Sequence, residues 1–238
     1  MILPIFRHGV AELGLNLSEQ QFEQFEAYFR LLVEWNARFN LTAVTEYDAV
    51  QSVHFLDSLS LIKSGVDFDG KKIIDVGAGA GFPGLPLKIA FPDIHLTLLE
   101  ATGKKAVFLT EATAALELSD VAVLNARAED AAWQSKQRDR YDIAVSRAVA
   151  SLDTLCELSL PFCRAGGKFV AMKKGQIRDE IEVAAEAIAA LRGRLLGVRD
   201  ISLSDLSGGR KLVIIEKIGQ TPAEYPRHNG VAAKKPIR

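Results

Sequence analysis

Lys71–Gly84 reads KKIIDVGAGAGFPG, a short apolar strand running into a loop with glycines at 77, 79, 81 and 84. Glycines so dense after a strand let the backbone turn tightly and lie against a ligand with no side chain between. A helix over Gly84–Ala90 is expected to follow and to aim its first amides, and the positive end of its dipole, at that ligand.

Two nucleotide ligands fit the loop. Gly79-x-Gly81-x-x-Gly84 matches the dinucleotide fingerprint. Gly77-x-Gly79-x-Gly81 after an acidic strand end instead resembles the loop of class I S-adenosylmethionine (SAM) methyltransferases. Glu100 closes the next apolar run, His95–Glu100, and serves either ligand by accepting the ribose hydroxyls. Register favours SAM. A dinucleotide's first glycine should follow the strand at once, and here Asp75-Val76-Gly77 intervenes.

Outward from the loop, strand and helix alternate. Apolar runs at 71–76, 95–100, 121–126, 141–146 and 167–172 are separated by segments of helical length, among them Gly103–Leu118 and Leu152–Cys163. That alternation calls for a parallel sheet with helices on both faces. After a helix over 176–192, the runs Gly197–Leu203 and Arg210–Ile218 are joined by Ser204–Gly209, too short for a crossover helix, so they pair antiparallel. Five parallel strands ending in an antiparallel hairpin give an α/β class, a Rossmann-like seven-stranded sheet of the SAM methyltransferase plan. A dinucleotide fold would continue with a sixth parallel strand. The expected division is a helical extension over 1–66, the SAM-binding domain over 67–218 and a basic tail over 219–238.

In the extension, Ser18 and Gln21 form a capping box that opens a helix to Phe39, with Phe22, Phe25, Phe29 and Leu32 on its inner face. A second helix over Glu46–Lys63 places Val50, Val53, Leu56 or Leu59, and Ile62 inward. Between them, Trp35–Thr45 carries more asparagine, arginine and threonine than a connection needs, which suits either helix capping or substrate contact.

The chain of 238 residues is 48% apolar and 25% charged with a formal charge of −1, an ordinary one-domain composition that excludes a globally basic nucleic-acid binder. Charge is uneven: residues 1–63 carry four Lys/Arg against eight Asp/Glu, and 219–238 four against one. The basic tail is either a solubilising end or a phosphate contact. Cys156 and Cys163, seven apart on an expected helix, have no metal-ligand spacing around them and exclude a disulfide scaffold. MILPIFRHGV is too broken by Pro4 and Arg7 for a signal peptide, and no run of about 18 apolar residues spans a membrane. A cytoplasmic protein, without metal or membrane and acting as a monomer, is expected.

On this fold the ligand lies beyond the carboxyl ends of the strands. Asp75–Phe82, with Gly77 and Gly79, would wrap the methionine part. Glu100 would hold the ribose. Asn125–Asp130 would meet the adenine edge with a backbone amide and an acidic acceptor, and Ser146-Arg147-Ala148 would face the donor methyl. Glu129 also reads as a first-turn acid and Arg147 as an ion-pair partner.

Asn40-Leu-Thr-Ala-Val-Thr45, His54-Phe-Leu-Asp-Ser-Leu59, Asp75-Val-Gly-Ala-Gly-Ala-Gly-Phe-Pro-Gly84, Ser146-Arg-Ala148 and Lys173-Lys174-Gly175 together resemble the glucose-inhibited division protein B family, bacterial 16S rRNA guanine-N7 methyltransferases. The resemblance spans nearly the whole chain, including Thr221-Pro-Ala-Glu-Tyr-Pro-Arg. It implies SAM as donor, a guanine in the decoding-region loop of the small ribosomal subunit as acceptor, and SAM contacts at Gly77, Phe82, Ala128, Glu129 and Arg147. The ribose role of Glu100 rests mainly on the fold. Guanine N7 has an in-plane lone pair and no hydrogen, so no catalytic acid or base is assigned; the chain has no Asn-Pro-Pro-Tyr motif and no Pro-Cys nucleophile. Arg38 and Asn40 are expected at the substrate, with Lys173 and Lys174 drawing phosphate. A small-molecule SAM methyltransferase and a non-catalytic SAM-binding module are the alternative readings.

Overall fold

The computed structural model describes residues 2–147 and 150–238, so Ala148 of the Ser146-Arg147-Ala148 motif lies outside the described residues. Helix α1 (Pro4–Leu13) opens the chain. The sequence pattern alone marks no helix here. Proline sits in the first turn, where its missing N–H removes no helical bond. Helix α2 (Glu19–Phe39) has its capping box: the Ser18 hydroxyl accepts from the Gln21 amide at 3.2 Å and the Gln21 side chain from the Ser18 amide at 2.8 Å. Its buried stripe is Phe22, Phe25, Tyr28 and Leu32, so Tyr28, not Phe29, faces fully inward.

The expected helix over Glu46–Lys63 is a composite. It runs as α3 (Tyr47–Val50), a π-helical turn over Gln51–Leu56, α4 (Asp57–Leu59) and a 3-10 turn over Ser60–Ser64. A π turn carries more residues per turn and rotates the face that follows. Val53 and Ile62, expected inside, are therefore half-buried, while His54, Phe55 and Leu61 are inside.

The sheet comprises β1 (Lys72–Val76), β2 (His95–Glu100), β3 (Val121–Asn125), β4 (Tyr141–Arg147), β5 (Cys163–Lys174), β6 (Gly193–Leu203) and β7 (Leu206–Lys217) in the order β3-β2-β1-β4-β5-β7-β6. The first five run parallel and β7 is antiparallel to both neighbours. Seven strands with the expected hairpin are present. Only Ser204-Asp205 joins β6 to β7, because Leu206–Gly209, taken as linker, extend the strand. Cys163 opens β5 and is not on a helix with Cys156. Burial pushes the Cys163 thiol up to about 12 and raises Cys156 as well.

Helices α5 (Gly84–Ala90), α6 (Gly103–Ala115), α7 (Ala128–Ala132), α8 (Leu152–Ser159), α9 (Arg178–Ala190) and α10 (Val231–Lys234) complete the chain. Strand side chains alternate between faces. Ile73, Leu98, Val170 and Ile214 pack with α1, α2, α5 and α6, while Ile74, Leu99, Ala171 and Ile215 pack with α7, α8 and α9. The N-terminal helices thus share one core with the sheet and roof the carboxyl ends of its strands on that side.

The tail is a strap. Arg227 pairs with buried Glu157 at 2.6 Å, Arg238 lies 3.5 Å from Asp153, and the Arg138 guanidinium donates to carbonyls of Thr221, Pro222 and Tyr225. Half of its four cations are thereby engaged by the protein itself. Among the described residues no helix is long and apolar enough to cross a membrane.

Candidate active site

Pairing register assembles the site. Arg147 at the end of β4 lies beside Met172 of β5, and Lys174 of β5 lies opposite Arg210 of β7. Met172 and Lys174 share the face roofed by the N-terminal helices; Lys173 points to the other, where its ammonium lies 2.5 Å from Glu180 and donates to the Ala150 carbonyl. Like charges placed opposite on a sheet repel. The neutralising group is Asp57, delivered by α4 just after the π turn: its Oδ1 accepts from Arg210 at 2.8 Å and its Oδ2 from Arg147 at 3.1 Å, all but sealed from solvent. Burial and the neighbouring Arg210 lower the Lys174 pKa, and among the described residues no carboxylate lies within ion-pair distance of that ammonium.

Two cavities meet at this point. One of about 390 Å³ lies over the ends of β1, β2 and β3, lined by Val76, Gly77, Gly79, Glu100, Ala128 and Glu129 with Arg147. The other, about 490 Å³, lies under the N-terminal roof, lined by Thr42, His54, Phe82, Met172, Lys174 and Arg210 among others. Gly77, Gly79 and Arg147 border both. The loop is held from within. Amides of Gly77 and Ala78 donate to the Leu99 carbonyl, that of Gly79 to Glu100 at 2.9 Å, and that of Gly84 to Asp75 Oδ2 at 2.8 Å. The first amide of α5 is therefore engaged by Asp75. Asp75 itself is fully buried, and its Oδ1 has no partner among the described residues. Burial carries its pKa up to about 7 against the opposing Gly84 amide and Arg147.

Phe82 is the hinge of an aromatic stack. Tyr28 stacks on it at 5.2 Å and His54 at 4.4 Å, the Tyr28 hydroxyl donates to the Ala80 carbonyl, and the Arg147 guanidinium lies 5.0 Å above the Phe82 ring. Arg147 also donates to the Val53 carbonyl, which the π turn exposes, at 2.9 Å. Burial and Arg147 hold the His54 imidazole at about 4, so it is neutral near pH 7.

A family described as rRNA small subunit methyltransferase G matches residues 21–206. A ribosomal RNA small subunit methyltransferase G of Dehalococcoides mccartyi (strain CBDB1) is 52% identical over 97% of this chain and 97% of its own. One from Lachnoclostridium phytofermentans is 45% identical over 98% and 96%. The chain belongs to the rRNA small subunit methyltransferase G family. The precorrin-6y C5,15-methyltransferase of Geobacter metallireducens GS-15 superposes with a TM-score of 0.51 at 12% identity, over 73% of this chain and 89% of that one. That likeness is one of fold, the class I methyltransferase sheet.

In this member of the family, Gly77, Gly79, Glu100, Ala128, Glu129 and Arg147 line the smaller cavity and Phe82 the larger. Glu129 meets the tail, its Oε1 accepting from the Gly230 amide at 2.8 Å. Both Glu100 oxygens accept backbone amides, at 2.9 Å from Gly79 and 2.7 Å from Thr102. Lys173 and Lys174 line the larger cavity; Arg38 and Asn40 line neither. Arg38 is exposed beside Glu34, and Asn40 ends α2 in the left-handed region at φ 49°. The sequence reading picked out the polar segments around Thr42 and His54 without assigning either residue, and it missed Arg210. Asp57 stood inside a quoted motif, but nothing local marked it as the partner of two arginines.

Proposed function

We propose that the protein methylates N7 of a guanine in the decoding-region loop of 16S rRNA, by direct in-line transfer without a general base. As a member of its family it is a SAM-dependent methyltransferase of small-subunit rRNA. The observation that carries the finer reading is the junction of two cavities at Gly77, Gly79 and Arg147, one for the donor and one for the base. The residues at the smaller cavity fit SAM. Gly77 and Gly79 offer a wall without side chains and Glu100 has lone pairs left for ribose hydroxyls; behind the loop, lining neither cavity, Asp75 Oδ1 is a buried acceptor without a partner among the described residues. When bound, SAM supplies an electrophilic methyl on a sulfonium centre.

The chain's own residues position and dehydrate. The segment Leu41–Asp57 and the stacked Phe82 and His54 cover the junction on the N-terminal side; Arg147, fixed by Asp57, sets its floor. Positioning of this kind is worth up to about 7–11 kcal/mol of barrier. No residue has to remove a proton, since N7 carries none. N7 lies on the major-groove edge, which is deep and narrow in A-form RNA, so the target base must be splayed out of its loop to enter. On this reading the enzyme works in the cytoplasm as a monomer on the small ribosomal subunit. Mapping 7-methylguanine in 16S rRNA from cells with and without the gene tests it; an unchanged map overturns it.

Two expected results belong to this reading. Gly77 has φ 77°, where a branched residue carries about 1–3 kcal/mol of strain. Gly77→Val is expected to remove SAM binding from the calorimetric range while far-ultraviolet circular dichroism keeps the fold, and near-normal affinity would refute the placement. Arg38→Ala, Asn40→Ala and Lys174→Ala should keep SAM affinity and slow methylation of small subunits. Lys174→Ala should also flatten the salt dependence of subunit binding by roughly one unit of slope. Lys173, locked to Glu180, should leave that slope alone.

A further inference from the structure

We propose that Thr42 selects the target base: its hydroxyl donates to the O6 carbonyl of the flipped guanine and meets no acceptor at that position on an adenine. The proposal rests on the larger cavity being the seat of the base.

The bonds around Thr42 leave its proton as the one free group. Its Oγ1 lies 3.1 Å from the Val44 amide, which can only donate. On the other side lies His54 Nε2 at 2.9 Å. The tautomer follows from the far side of the ring, where Arg147 Nη2 lies 3.2 Å from Nδ1. A guanidinium has no acceptor, so Nδ1 keeps its lone pair toward it. The Val53 carbonyl, 3.1 Å from Nδ1, accepts from Arg147 Nη1 at 2.9 Å and has a second lone pair, so what sets the tautomer is that an Nδ1 proton would meet the Nη2–H of Arg147. The imidazole proton therefore sits on Nε2 and is donated to Thr42, consistent with a ring that burial keeps neutral. Thr42 Oγ1 thus accepts twice, the full capacity of a hydroxyl oxygen. No acceptor among the described residues takes its proton, and Thr42 lines the cavity.

The donor is also fixed in place. The Thr42 amide donates to Asn36 Oδ1 at 2.8 Å, and the His54 ring is stacked on Phe82 within 19° of parallel. A purine presents N7 and its 6-substituent on one edge: guanine shows two acceptors there, adenine an acceptor and an amino donor. N7 must stay free to take the methyl, so recognition on that edge falls on position 6. A lone fixed donor donates to O6 and opposes an N6 amino group.

The test is a cycle in small subunits reconstituted with 16S rRNA carrying either guanine or 2-aminopurine, which keeps N7 and lacks O6, at the target position. Wild type should methylate the 2-aminopurine subunits roughly 10- to 100-fold more slowly, the range for one lost hydrogen bond that leaves a donor unpaired. Thr42→Val should show a similar loss on guanine and almost no further loss on 2-aminopurine. Thr42→Ser, which keeps the donor, should retain the wild-type rate and discrimination, and SAM affinity should be the same in all. Equal wild-type rates on both bases, or an undiminished base effect in Thr42→Val, would overturn the proposal. Thr42→Cys, a weak donor of similar size, replaces Thr42→Val in the cycle if that variant does not fold. A wild type inactive on guanine subunits would instead overturn the proposed function.

Discussion

Replacing Asp57 by alanine is expected to lower the unfolding free energy by about 3–5 kcal/mol, the usual consequence of removing one partner from a buried ion pair. Asp57 is 3% exposed and answers two guanidiniums at once, Arg210 at 2.8 Å and Arg147 at 3.1 Å. Without it, Arg147, Arg210 and Lys174 face one another across the larger cavity with no carboxylate between them. The three partners belong to α4, β4 and β7, so the same change loosens the N-terminal roof from the sheet. Urea unfolding measures the loss. A double variant that also carries Arg210→Met should recover part of it, because one uncompensated charge is removed. A loss under about 1 kcal/mol would mark the triad as no stronger than a surface pair.

The difference between Asp57 and the glycine loop explains what could be read from the sequence. The loop and the strands announce themselves locally: a period of two sends Ile73 and Ile74, or Leu98 and Leu99, to opposite faces, and the glycines follow a strand end directly. Asp57 has no local sign, because its partners lie 90 and 153 residues further along the chain. Arg210 becomes a site residue only through the antiparallel register that sets it opposite Lys174. The same register separates Lys173 and Lys174, which look equivalent in sequence: both border the larger cavity, Lys173 paired with Glu180 and Lys174 opposite Arg210. The π turn is equally silent in the pattern, and it is what turns His54 and Phe55 inward where a regular helix would have turned Val53. Arg38 and Asn40 stand in the last turn and at the left-handed end of α2 and line neither cavity, while Thr42, two residues on, lines the larger one. Net charge does not show that, in the tail, Arg227 and Arg238 answer Glu157 and Asp153.

The second large effect is a pH dependence centred on Asp75. Burial raises its folded pKa to about 7 from the ordinary 3.8, outweighing the Gly84 amide and Arg147, with Glu100 adding to the rise. A carboxyl raised on folding binds its proton more tightly in the native state, so the unfolded chain holds fewer protons between these limits. Stability contributed by this group therefore falls as pH rises from about 4 to about 7 and is level on either side. Relative to Asp75→Asn, which does not titrate, the wild-type apoprotein should lose on the order of 4 kcal/mol over that window. Denaturant unfolding of both proteins across the window measures the difference, and a pH-independent difference would mean that Asp75 is ionised throughout. Ligand binding should reverse the effect. If Asp75 Oδ1 takes the ammonium of SAM, the carboxyl is driven to ionise, and SAM binding at about pH 6 should release a fraction of a proton. Calorimetry in two buffers of different ionisation enthalpy detects that release. Asp75→Asn should bind SAM more weakly and release none, whereas an equal release from both proteins would place the ammonium elsewhere.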